Sequence, residues 1–283
     1  MPRPIVAGEY RSGTRKGLDL TIGKVGLSDS KWNAPTDTLI GSYKPASGTR
    51  GGVLLRSIRV IETQTVVSGP SLLVDSILKY SGAESIDELV SEHWNGDISA
   101  FPSTSSNDRP SLSLIPVPPP DPDATGERGV SPIYCSPRIG LDLTNPSAAP
   151  SLSNQRVSFV RRRYRYFRLP TLLRTKGHAE NFLGALYHCL KVPGWSITEL
   201  DRNWAAQFKK HSVIANIEKV TGKTGAARWL KAFEAGTEMK VDRFCGAAGK
   251  TSKAGAEHIL SMYGAIAGLG WATKEEITTN DNQ

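Results

Sequence analysis

The chain has 283 residues, 39% of them hydrophobic and 22% charged, with a formal net charge of +8. That is enough apolar material for one large domain or two ordinary ones, which excludes a wholly disordered chain. Gly and Pro are too few for collagen, and no apolar run approaches the ~20 residues a membrane helix needs, so a soluble protein with no membrane partner is expected.

In chain order, the N-terminal nine residues carry neither an apolar core nor an Arg/Ser-rich amphipathic stretch, so no export or import is signalled. The first 160 residues read as short strands separated by turns, at 18–25, 52–65, 112–117 and 139–143. A helix interrupts them after Ser68 or Ser71, with Leu72, Leu73, Ile77 and Leu78 on one face. Another over 85–94 opens with Ser85 and Glu88 at capping-box spacing. Residues 102–132 are rich in Pro, Ser, Asp and Gly and predict an exposed insertion; residues 144–155 have the same polar character. Beyond Pro170 the apolar period becomes helical, over 179–191, 197–210, 213–220, 225–235 and 253–269.

Charge follows the same division. Up to Gln155 there are 14 Lys and Arg against 16 Asp and Glu; beyond it there are 21 against 11. The excess begins at Arg161, Arg162 and Arg163, continues through Arg165, Arg168, Arg174 and Lys176, and is interleaved with Tyr164, Tyr166 and Phe167. Cations alternating with aromatic rings suit a nucleic-acid partner, the first set meeting phosphates and the second stacking on bases.

Most motifs fail their own spacing test. Gly222-Lys-Thr and Gly249-Lys-Thr have Ile217 and Phe244 where a phosphate-binding loop needs its first glycine, so both predict helix-terminus loops. The segment 244–260 is similar to a helix-hairpin-helix, but its Gly246-Ala-Ala-Gly249 turn has one residue more than the usual Gly-x-Gly; a capped helix end is the alternative. His93, His178, His188, His211 and His258 form no paired helical spacing, and Cys135, Cys189 and Cys245 lie far apart. No metal or other cofactor is expected, and the thiols predict reduced side chains.

Five strings taken in order carry a resemblance: GGVLLRSIR (51–59), VSGPSLLVDSIL (67–78), NGDI (95–98), SPRIGLD (136–142) and RVSFVRR (156–162). Together they resemble the C-terminal part of the 3-methyladenine (alkyladenine) DNA glycosylase family, with GLDLTIG (17–23) as its central strand. The resemblance implies an antiparallel β-rich fold, hydrolysis of the N-glycosidic bond of alkylated purines without a metal, and a nucleotide flipped out of the duplex. It places Arg56 near the DNA backbone, with Arg59 and Arg138 as further phosphate contacts. The closest match to the block bearing the catalytic base is IVAGEY (5–10), which makes Glu9 the candidate base and Tyr10, or Trp32, the candidate base-pocket ring. Here the chain departs from the family. Between this block and the central strand only Arg11 to Lys16 remains, and Gly23 stands where a pocket asparagine belongs. The expectation is either a truncated sequence or a relative that has lost the chemistry.

The resulting expectation is an α+β chain: a glycosylase-like domain over 1–163 with the 102–132 insertion, then a basic all-helical domain over 164–283 of no recognised family. The expected function is base-excision repair as a nuclear, monomeric enzyme on double-stranded DNA. Two alternatives stay open: a non-catalytic DNA-binding protein, or a protein-interaction adaptor acting through the helical domain.

Overall fold

The computed structural model of the chain describes residues 17–23, 50–98, 112–115, 132–144, 148–173, 176–207, 209–246 and 255–280. The fold is α+β, with helices and small antiparallel sheets. It divides into two compact units, Met1–Asp123 and Ala124–Gln283.

In the first unit, β1 (Leu18–Gly23) pairs antiparallel with β2 (Arg50–Leu55), in a register running from Leu18 opposite Leu55 to Gly23 opposite Arg50. The expected strand over 52–65 breaks into β2 and β3 (Ser57–Arg59); β3 turns at Ile61–Thr63 and pairs with β4 (Val66–Ser68). Helix α1 (Pro70–Ser81) starts from Gly69, not from a serine cap. Gly69 has φ 135°, a conformation that disfavours side chains, and its N–H donates to the Arg56 carbonyl at 2.8 Å, which ties the helix start to the end of β2. Leu72 stays exposed, and Leu73, Val74 and Leu78 face the core instead. Helix α2 (Ile86–Glu88) runs on into a single π turn, Leu89–His93. The Ser85 hydroxyl accepts the Glu88 N–H at 3.0 Å, as the capping-box spacing predicts, but the Glu88 carboxylate returns to the N–H of Glu84 at 2.8 Å. Leu73, Val74, Leu78, Ala83 and Leu89 form this unit's core, joined by Leu18, Leu55, Ile58 and Trp94.

In the second unit, β5 (Tyr134–Ser136) pairs with β6 (Arg165–Phe167), Cys135 lying opposite Tyr166. The contact boundary therefore lies some forty residues before the expected one at 163, and the SPRIGLD and RVSFVRR strings belong to this unit. Residues 139–143 form a turn and coil, with Gly140 at φ 79°. Residues 112–115 of the first unit likewise have no regular structure, and the rest of the 102–132 segment lies outside the described residues. The RVSFVRR string is helical: α3 (Gln155–Val160) is capped by Asn154, whose side-chain oxygen accepts the N–H groups of Arg156 at 3.0 Å and Val157 at 3.4 Å.

Helix α4 (His178–Cys189) is buried without a break from Ala179 to Tyr187, the mark of a central helix. Packed against it are β5, α6 (Lys210–Thr221), α7 (Ala226–Thr237) and α8 (Ala256–Asn280). The helix expected over 197–210 reduces to a 3₁₀ turn at Ile197–Glu199 and α5 (Trp204–Gln207). Between them the Asp201 carboxylate accepts the Asn203 N–H at 2.7 Å, a side-chain turn that competes with helical pairing. Gly222 ends α6 in the left-handed region, and the Glu218 carboxylate accepts the N–H groups of Gly225 and Ala226. A protein carboxylate thus occupies the helix start that a phosphate would need, and Gly222-Lys-Thr is a helix-to-helix turn. The Gly246–Gly249 turn lies mostly outside the described residues.

Candidate nucleic-acid interface

From Arg163 to Arg168, a run centred on β6 and ending in a bend, side-chain burial alternates between two faces. Arg163 (5% exposed), half-buried Arg165 and Phe167 (8%) point inward, whereas Tyr164 (45%), Tyr166 (52%) and Arg168 stand outward. A run that reads in the sequence as one basic cluster is thus two sets of residues with different surroundings.

The inward set holds the unit together. The Arg163 guanidinium lies 5.0 Å over the ring of buried Tyr187 and its Nη2 donates to the carbonyls of Val192, Pro193 and Gly194. Its backbone N–H donates to the Trp195 carbonyl at 2.8 Å, which fixes the turn after α4. Arg165 reaches Ser136 Oγ at 3.1 Å and Asn181 Oδ1 at 2.8 Å, with its guanidinium 4.2 Å from the Phe167 ring centroid. Phe167 in turn stacks on Tyr134 at 5.5 Å and packs on α4 where Gly184 leaves room, since a Cβ there would lie 2.7 Å from Phe167 Cζ. Arg161 donates to Thr198 Oγ1 at 3.2 Å, and burial, then the neighbouring Arg162 charge, lower its pKa against the opposing pull of Glu199.

The outward set extends beyond the strand. Phe159, 42% exposed at the end of α3, meets Tyr164 edge to face at 6.0 Å, and the Arg138 guanidinium lies 5.8 Å over the Phe159 ring. Tyr166 faces Cys135 across the sheet, a small neighbour that leaves the aromatic ring open. Burial, then the Cys135 and Tyr164 groups beside it, raise the Tyr166 pKa, which keeps its hydroxyl neutral. The result is a patch of three exposed rings with Arg138 at one end and Arg168 beyond the strand.

The expected site residues fall into separate places. Arg138, Arg161, Arg162 and Arg163 lie in the second unit, Arg162 half-buried in an isolated bridge to Ser196. Arg56 and Arg59 lie in the first unit; Arg56 is half-buried and Arg59 stands exposed on β3. Glu9, Tyr10 and Trp32 lie outside the described residues. Phe159 is not among the residues the sequence points to, although the RVSFVRR string contains it, because no helix is predicted there to turn its ring outward. Among the described residues no group of His, Cys, Asp and Glu is arranged to hold a metal ion, and no helix is long and apolar enough to cross a membrane.

No protein-family model and no solved structure matches the chain. Over 80 residues it is 34% identical to an uncharacterised protein of Acanthamoeba polyphaga mimivirus, a match that covers 28% of this chain and 33% of that protein. The chain thus spans about a third of the length of that relative.

Proposed function

We propose that this protein binds DNA through the outward face of its second unit. The observation that supports this most strongly is the division of the arginine run. The inward arginines are held by protein carbonyls and side chains, while half-buried Arg138 lies over the exposed Phe159 ring in the half of the chain that carries the positive excess. Cations placed beside aromatic faces match a polyanion that also presents flat bases. In a fluorescence-anisotropy titration of the full chain, log K is expected to fall linearly with log salt, because bound phosphates release counterions. Arg138→Ala should weaken binding and make that slope shallower by about one phosphate equivalent. Binding that ignores salt would overturn the reading.

A second reading, excision of alkylated purines in the manner of the alkyladenine DNA glycosylases, rests on the five resembling strings of the sequence. SPRIGLD and RVSFVRR meet through Arg138 over Phe159 and through Arg156 Nε donating to the Asp142 carbonyl at 2.8 Å. GGVLLRSIR and VSGPSLLVDSIL meet through the Arg56 carbonyl and the β3–β4 pair. On this reading Glu9 is the general base, and base release from an alkylated oligonucleotide should disappear in Glu9→Gln, which keeps the size and removes the basic oxygen. Release that survives the substitution would move the chemistry to another carboxylate, with Glu62 or Asp19 the next candidates.

A further inference from the structure

We infer that the outward face selects unpaired bases, so that single-stranded DNA binds it in preference to duplex. The inference rests on the DNA-binding reading above and adds a substrate class to it. Tyr164 and Tyr166 are two residues apart and both exposed on one face at the start of β6, so the backbone positions that carry their rings are about 6.8 Å apart by the strand rise. Neighbouring bases of a duplex strand are only about 3.4 Å apart and already cover each other's faces. Rings at twice that spacing offer no match to a closed stack, but each has a face free for one unstacked base, or the pair has room for one base between them. Phe159 supplies a third ring beside Tyr164 and is itself turned by that edge-to-face contact.

The backbone holding these rings is fixed from behind. Arg163 and Arg165, which flank Tyr164, are bound to the carbonyls after α4 and to Ser136 and Asn181. Stacking on this face therefore requires no ordering of the strand, which keeps the entropic cost of binding low. Arg138 over Phe159 provides a charge for the phosphate track beside the rings. A duplex can reach that charge but has no exposed base faces to give the tyrosines, so the arginine should serve both forms and the rings only one.

The test is anisotropy of the full chain with a labelled 20-nucleotide oligothymidine and a labelled 20-bp duplex in the same buffer. The single strand is expected to bind about tenfold or more tightly than the duplex. Tyr164→Ala and Tyr166→Ala should each weaken single-strand binding about tenfold, leave the salt slope unchanged and alter duplex binding less than twofold. Tyr164→Phe and Tyr166→Phe keep the ring and should bind like the parent, which separates stacking from any effect of the hydroxyl or of folding. Equal affinity for the two forms, with the tyrosine variants neutral and Arg138→Ala weakening both, would overturn the inference while leaving the DNA-binding reading in place. Binding of neither form would overturn that reading and leave the exposed rings as a protein-docking patch.

Discussion

Gly264→Val is expected to destabilise the second unit by about 3 kcal/mol or more, a large share of what holds a domain of this size. Helices α7 and α8 cross with almost no side chain between them. A Cβ at Gly236 would meet the Ser261 carbonyl, one at Gly264 the Phe233 carbonyl and one at Gly268 the Thr237 carbonyl, all inside the 3.0 Å that real Cβ contacts do not cross. The opposing atoms are backbone, so rotating a side chain cannot relieve the clash; the two helices must separate. Separation would also break the bond from Ser261 Oγ to the Ala232 carbonyl, 3.0 Å long, and loosen Tyr263, Ile266 and Ala267 from a core in which each is fully buried. Denaturant unfolding followed by tryptophan fluorescence reports mainly on this unit, since Trp195, Trp204, Trp229 and Trp271, four of the six tryptophans, lie in it. Gly255→Ala has open space around its Cβ and an ordinary φ, and should stay within about half a kcal/mol of the parent. A Gly264→Val midpoint equal to that of Gly255→Ala would mean that the helices do not cross as described.

The same crossing shows what the sequence reveals and what it hides. The apolar period marked α4, α6, α7 and α8 to within a few residues except at the end of α8, because each presents a stripe or a fully apolar surface to the core. Local rules also served at Ser85, where the cap forms as its spacing predicts. They are silent at 155–160: Val157, Phe159 and Val160 favour a strand by propensity, and the Asn154 cap with burial of Val157 and Val160 against the core makes the segment helical. The unit boundary was hidden for a related reason. The polar stretch before Gln155 looks like a linker, yet β5 ahead of it pairs with β6 behind it, a long-range contact that composition does not encode. For the candidate site, charge and interleaved rings were visible as residue types. Which cations face solvent was not, because period-2 alternation in a six-residue run sorts them only once one inward position is known. Phe167 illustrates this: counted among the rings that interleave with the arginines, it is buried against Tyr134 and α4.

Arg163 turns that alternation into an experiment. Its guanidinium is 5% exposed, lies over Tyr187 and serves three carbonyls of the turn after α4. Alanine removes the donor from those carbonyls and the cation from the ring; charged hydrogen bonds of this kind are worth about 1.5–3 kcal/mol, and a desolvated cation–π contact up to about 2. The expected loss for Arg163→Ala is therefore about 3–5 kcal/mol, a fall of roughly 10 °C or more in Tm for a unit of this length. Arg162→Ala, one residue away and tied to the fold through its backbone bridge to Ser196, should cost less than about 1 kcal/mol. Lysine at 163 keeps the charge but not the planar fork, so it should recover only part of the loss. The contrast also governs how DNA binding is read. A combined Arg161, Arg162 and Arg163 alanine variant would lose affinity because the turn behind Tyr164 and Tyr166 collapses, whereas Arg138→Ala removes a half-buried cation whose contact is the exposed Phe159 ring. If Arg163→Ala melts with the parent and alone abolishes DNA binding, Arg163 is a phosphate ligand and the division into inward and outward arginines is wrong.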